Sequence, residues 1–270
     1  MLIRDGPDTP LDFFNKDMSG VIYAGNTVKD AVPFHILGIN WYGSEGRNRL
    51  PEGLEYRPIS WIMDYIAQNR FNSLRLLLNM EDWEADPPID PTIFNAMLNP
   101  EFEGATYREA LRIIVRAAAE RRILILLANH RLRRSYQDPT HPRAWPGGWD
   151  GLWYEHGEEA QGYMTESKVV RLWGEVAGYF CGEWNVFAAD LMNEPHMGYW
   201  GSTRWEDHPE LHDRDWIIGA ERLGNSVLQQ CPRLLILVEG TAEYGTEWGE
   251  SFKGLKEQVL WVLYRCSMCV

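Results

Sequence analysis

Residues 186–195 read Val-Phe-Ala-Ala-Asp-Leu-Met-Asn-Glu-Pro, an apolar run that turns polar at its end and is closed by a proline. A short continuous apolar run is what a parallel strand looks like when helices cover both of its faces. The strand is expected over 186–192, and Pro195, with its fixed φ and no N–H, turns the chain behind it. Asn193 and Glu194 are thereby delivered at the C-terminal end of the strand, the end where βα folds assemble their sites. The same kind of run recurs at 35–40, 73–78, 123–128 and 234–239.

Between these runs the apolar residues change to a helical period. Tyr107, Leu111, Ile114, Val115 and Ala118 fall on one stripe, as do Val169, Leu172, Trp173, Val176 and Phe180. A third stripe runs through Trp216, Ile217, Ala220, Leu223 and Val227. Strands alternating with helices give an α/β fold, either a doubly wound sheet or a (β/α) barrel. The spacing in Gly38-Ile-Asn-Trp-Tyr-Gly43 is wrong for a dinucleotide turn. The long insertions at 81–104, 131–165 and 196–213 mostly follow strands, where a barrel places its site loops. Residues 1–20 are expected to form an irregular leader, and a hairpin around Gly25-Asn26 opens the domain at 21–270 ahead of its βα alternation.

Composition narrows the partners. The 270 residues are 45% hydrophobic and 24% charged, an ordinary globular profile with room for one large core. A net charge of -13 argues against nucleic acid and anionic membranes as partners, and no run is long enough to span a bilayer. The N-terminus lacks an apolar h-region, so no signal peptide is expected in the chain. Trp145, Trp149, Trp153, Trp200, Trp205 and Trp248 lie in polar, Gly/Pro-rich stretches. Singly, each reads as a loop residue folded onto the core; together they suggest flat platforms for sugar rings. Cys181, Cys231, Cys266 and Cys269 are too few for a disulfide scaffold and too scattered for zinc.

The strand ends carry the functional argument. Asn40-Trp41, Arg75, Asn129-His130-Arg131, Asn193-Glu194 and Glu239-Gly240 lie at or near the ends of successive runs, and barrel geometry makes such ends converge. Taken alone, Arg75 reads equally as a buried ion-pair partner and His130 as a core histidine. Cleaving a glycosidic bond needs a protonated carboxyl group for the leaving oxygen and a second carboxyl group as nucleophile or base. Glu194 suits the first role, since desolvation behind an apolar strand should raise its pKa. Asn193 suits a sugar 2-hydroxyl, Arg75 a neighbouring carboxylate, and His130 a hydroxyl or the acid itself.

Residues 21–250 resemble glycoside hydrolase family 5, and within it the actinobacterial-type endo-β-1,4-glucanases. The resemblance rests on Gly38-Ile-Asn-Trp-Tyr-Gly43, Asn72-Ser-Leu-Arg-Leu76, His130-Arg131, Asp190-Leu-Met-Asn-Glu-Pro-His196, Asp215-Trp216 with Ala220-Glu-Arg-Leu-Gly-Asn225, and Leu235-Ile-Leu-Val-Glu-Gly240. It implies a (β/α)8 TIM-type barrel and a retaining mechanism with Glu194 as acid/base, supported by Arg75, His130 and Asn193. Asn40 and Trp41 would floor the cleft, and Trp248 would be a stacking platform. It further implies a β-glucan or related polysaccharide as partner, no cofactor or metal, and secretion.

The sequence departs from the family after Glu250. A His-x-Tyr at the sixth strand and a Glu-Phe-Gly-type nucleophile at the seventh have no counterpart, so only the first five or six βα units are expected. On this reading the domain is an incomplete barrel without its nucleophile, and Glu239, Glu243, Glu247 and Glu250 are solvated or supporting carboxylates. Two rivals follow. One is a non-catalytic carbohydrate-binding remnant. The other is a metal-dependent hydrolase using His208, His212 and His196, although Pro209 points to an exposed loop there.

Overall fold

The computed structural model describes residues 12–14, 21–25, 27–133, 152–155, 157–195, 197–201, 214–241 and 252. A small antiparallel sheet comes first, with β1 (Asp12–Phe14), β2 (Tyr23–Gly25) and β3 (Val32–Pro33) in that order. Five parallel strands follow: β4 (Gly38–Trp41), β5 (Ser73–Asn79), β6 (Leu124–Arg131), β7 (Val186–Asp190) and β8 (Leu235–Leu237). Helix α1 (Ile59–Gln68) links β4 to β5, and α2 (Met80–Ala85) and α3 (Tyr107–Glu120) lie between β5 and β6. Helix α4 (Glu166–Phe180) precedes β7, and α5 (Trp216–Gln230) precedes β8.

Strand order separates the two α/β alternatives. A doubly wound sheet reverses its order at a switch point, whereas a barrel adds each strand beside its predecessor. Here the order is β4-β5-β6-β7-β8, without reversal. The fold is of the (β/α) barrel type, with five consecutive strands among the described residues. Strand β4 lies at one edge of this set, and its Gly38 and Asn40 are exposed.

Alternation along each strand divides the side chains between two surroundings. Leu74, Leu76, Ile125, Leu127 and Ile236 join one large cluster with the buried stripes of the helices. Each of the three expected stripes is buried, except that Ile217 is only half-buried. The helices start where the sequence supplies caps. Thr106 and Glu109 form a reciprocal capping box, Thr165 accepts from Lys168 N, and Asp215 accepts from the N–H groups of Ile217 and Ile218. Each such cap is worth about 1 kcal/mol.

The other face of the sheet is closed at the N-terminal ends of its strands. Phe13 and Ala24 from the small sheet, with Ile22 just before β2, pack with Leu124, Phe187, Ala188 and Leu235. The stretch expected to be an irregular leader therefore contains an ordered strand. Its register, Phe13 opposite Ala24, is fixed because Phe13 finds Phe187 at 5.2 Å and Phe34 at 5.5 Å between ring centroids. The expected hairpin is present, with Ala24 opposite Val32, and the chain passes close enough at Gly25 that a Cβ there would lie 2.7 Å from Ala31 Cα.

The cysteine reading also needs correction. Cys181 and Cys231, 50 residues apart, form a disulfide joining the C-terminal ends of α4 and α5. The pairing arises because the two helices pack side by side and end together, a relation that spacing along the chain does not reveal. Cys266 and Cys269 lie outside the described residues.

Candidate active site

Apolar packing seals the N-terminal ends of the strands, so the polar groups gather at the C-terminal ends. Their centre is Arg75 on β5. Its Nη2 donates to Asp190 Oδ2 at 2.7 Å, to Asn193 Oδ1 at 2.9 Å and to Glu239 Oε1 at 3.1 Å. Its Nε donates to the same Asp190 oxygen at 3.0 Å, and Nη1 donates to Asn40 Oδ1 at 3.2 Å. One planar guanidinium thus fixes groups from β4, from β7 and the turn after it, and from the segment just past β8, a task that suits the rigid fork of arginine. Burial alone would lower the Arg75 pKa, but Asp190 and Glu239 more than offset it, and the guanidinium ends above its ordinary value.

Glu194 sits half-buried in the turn after β7, with its backbone in the left-handed region at φ 45°. A non-glycine residue there costs about 1–3 kcal/mol and persists only where its surroundings hold it. They do so on both sides. Asn193 is 6% exposed and donates its N–H to Asn129 O on β6 at 2.9 Å. The Glu194 N–H donates to Glu239 Oε2 at 2.8 Å. Two helix tryptophans secure the strand ends themselves: Trp173 Nε1 donates to Leu191 O at 3.1 Å and Trp216 Nε1 to Glu239 O at 2.8 Å.

His130, near the end of β6, is half-buried, and its pKa is pushed down to about 3 by burial and by the nearby charges of Arg131 and Arg75. It is therefore a neutral imidazole across the physiological range, able to accept or donate a hydrogen bond but carrying no charge. Glu239 shifts the other way, to about 8, because burial and the Asp190 carboxylate outweigh Arg75 and the Glu194 N–H.

The structure thus brings Asn40, Arg75, Asn193 and Glu194 into one hydrogen-bonded cluster and sets His130 within electrostatic reach of Arg75. Trp41 is half-buried against the main core, its indole N–H donating to Glu52 O at 2.9 Å. Trp248 lies outside the described residues, as do Glu243, Glu247, Glu250, His196, His208, His212, Trp145, Trp149 and Trp205. Two other tryptophans considered as platforms are core residues instead: Trp153 is 2% and Trp200 5% exposed. Sequence reasoning gave no role to Asp190, whose signal is a lone acid inside an otherwise apolar strand. It placed Glu239 at a strand end and read it as a solvated or supporting carboxylate; in the structure Glu239 supports the site, touching both Arg75 and the Glu194 backbone.

A model of the cellulase family, glycosyl hydrolase family 5, matches residues 30–259. The chain belongs to this family. Its relatives include an endoglucanase of Paenibacillus polymyxa, 28% identical over 75% of this chain and 45% of its own length. The major extracellular endoglucanase of Xanthomonas campestris is 27% identical over 82% of this chain and 42% of its own. An endocellulase of Pyrococcus horikoshii, solved as a complex with cellotetraose, superimposes with a TM-score of 0.75 at 26% identity. That match covers 93% of this chain and 66% of the Pyrococcus chain. The chain spans about half the length of the curated relatives it matches.

Proposed function

We propose that this chain carries the acid/base side of an endo-acting, retaining hydrolase of β-1,4-linked glucan, with Glu194 as the proton donor to the leaving oxygen. The observation that carries the reading is the held turn at Glu194, a left-handed residue at the C-terminal end of a barrel strand, with Asn193 locked on Arg75 beside it. Such strain at the site-forming end of a barrel favours a functional residue over a packing one. Asn193 would bond the sugar 2-hydroxyl, a contact that strengthens as positive charge develops at the anomeric carbon. Neutral His130 would bond a hydroxyl. Asn40 and Trp41 would floor the cleft, and Trp248 would offer a stacking surface. The endoglucanase relatives and the cellotetraose-bound endocellulase support a β-glucan as the ligand.

The decisive comparison is Glu194→Gln on two substrates. Turnover of unactivated glucan should fall by about 10²-fold or more, and turnover of an aryl glycoside with a good leaving group by much less. Equal losses on both would remove Glu194 from the acid/base role.

A second reading is favoured by the engagement of the neighbouring acids. Among the described residues, Asp190 gives Oδ2 to Arg75, and both oxygens of Glu239 are engaged within the cluster, one by Arg75 and one by the Glu194 N–H. A chain that binds glucan without cleaving it would retain cello-oligosaccharide and release no reducing ends. The Cys181–Cys231 disulfide supports work in an oxidising compartment outside the cytosol, in keeping with secretion. Recovery of the native protein from cells with both thiols free would count against that placement.

A further inference from the structure

We propose that Glu239 is a positioning residue for Glu194: its carboxyl group, seated on Arg75, holds the Glu194 backbone N–H and fixes the turn from which that side chain enters the cleft. The proposal rests on the reading of Glu194 as the acid/base, but its own evidence is geometric. The two oxygens of Glu239 are divided between two tasks, Oε1 accepting from Arg75 Nη2 at 3.1 Å and Oε2 from Glu194 N at 2.8 Å. The main chain of Glu239 is itself anchored, its carbonyl accepting from Trp216 Nε1 at 2.8 Å. A bond to the N–H of a residue at φ 45° acts directly on the strained unit. Asn193 restrains the turn from the preceding residue, and Glu239 restrains the left-handed residue itself.

The same arrangement makes the latch responsive to protonation. The charged and titratable groups around it are Arg75 from β5, Asp190 from β7, Glu194 in the turn and neutral His130 from β6. Burial and Asp190 shift the Glu239 changeover to about 8, and Arg75 and the Glu194 N–H pull against that shift. An ionised carboxylate is the stronger acceptor for an amide N–H. The Glu194 amide should therefore report the protonation state of Glu239, a side chain 45 residues away in sequence.

The test uses the full chain labelled with 15N-glutamate, the Glu194 amide being assigned by its loss of intensity in Glu194→Gln. Followed from about pH 4 to about pH 9.5, that amide should titrate with Glu239, whose changeover burial and Asp190 push up toward about 8. The titration should vanish in Glu239→Gln. Amide exchange at Glu194 should be about tenfold faster in Glu239→Ala, as expected for loss of one hydrogen bond. A Glu194 amide that does not titrate in the wild-type chain, or that titrates alike in Glu239→Gln, would overturn the proposal. The wild-type measurement decides this even if a variant fails to fold. A parallel titration with cellotetraose keeps the two readings apart. A titrating amide without cellotetraose binding leaves the positioning role standing and removes the glucan reading. Binding with a silent amide does the reverse.

Discussion

Arg75 Nη2 lies 2.7 Å from Asp190 Oδ2, and Arg75 Nε lies 3.0 Å from the same oxygen, so the guanidinium clamps one carboxylate oxygen from two directions. Asp190 is 2% exposed, so this clamp stands in for solvent around its carboxyl group. Arg75→Met would leave two acids facing each other without a cation. It should cost about 3–5 kcal/mol in urea denaturation, the usual effect of removing one member of a buried pair. Arg75→Lys keeps the charge but not the fork, and should fall between the two. A loss below about 1 kcal/mol for Arg75→Met would show that Asp190 and Glu239 carry their burial without it.

Stability should depend on pH through two groups shifted in opposite directions. Glu239 rises from 4.5 to about 8, so the folded state holds its proton more tightly, and its contribution is full below 4.5 and lost as pH rises through about 8. His130 falls from 6.5 to about 3, so its contribution is full above 6.5 and lost as pH falls toward about 3. Between 4.5 and 6.5 the folded and unfolded states bind equal numbers of these protons, and the two slopes cancel. From these groups we expect a plateau there, with declines on either side of at most about 1.4 kcal/mol per pH unit. Denaturation of Glu239→Gln should be flat from 6.5 to 8, where the wild type declines. An unaltered alkaline limb would place the titrating group elsewhere.

The parts of this fold that were legible in the sequence are those whose burial is continuous. The central strands are covered on both faces, which leaves largely apolar runs, and α3, α4 and α5 bury one clean stripe each. Helix α1 escaped because Trp61 and Tyr65 stack on its exposed side and blur the period of Ile59, Met63 and Ile66. Helix α2, six residues long, is too short for a stripe to show. Asn40, Asn193 and Glu194 could be placed by their positions at or just past strand ends, and Arg75 as the one charged residue within its apolar run. Their pairings could not, because Arg75 reaches Asp190 across 115 positions and Glu239 across 164. Local pattern records which face a residue occupies, not which acid shares its cation.

The disulfide should matter to stability in proportion to the loop it closes. Linking residues 50 apart removes denatured-state entropy worth about 4 kcal/mol in the chain-entropy model. It ties the ends of α4 and α5, and α5 carries Trp216, whose indole holds the Glu239 carbonyl. Cys181→Ser with Cys231→Ser, or reduction of the wild type, should therefore lower the unfolding midpoint and loosen the Glu194 turn. Thermal unfolding with and without reductant checks the first effect. An unchanged midpoint would mean that packing between the two helices already supplies the constraint.

Helix α5 offers a test of packing with an internal control. Glycine inside a helix is usually improved by alanine, a gain of about 1 kcal/mol from propensity. At Gly219 the gain should reverse. A Cβ there would lie 2.8 Å from Trp153 Cγ, and Trp153, 2% exposed and held edge-on by Tyr154 at 4.7 Å, has little space into which to retreat. Gly219→Ala should therefore destabilise by about 1–3 kcal/mol, the cost of overpacking a filled core. Gly224 lies on the same helix, but a Cβ there would meet Ile236 Cγ2 at 3.5 Å, an ordinary contact distance. Gly224→Ala should be neutral or stabilising by up to about 1 kcal/mol. Equal effects at the two positions in chemical denaturation would show that Trp153 moves aside at little cost, and that this tryptophan is not the rigid core element its burial implies.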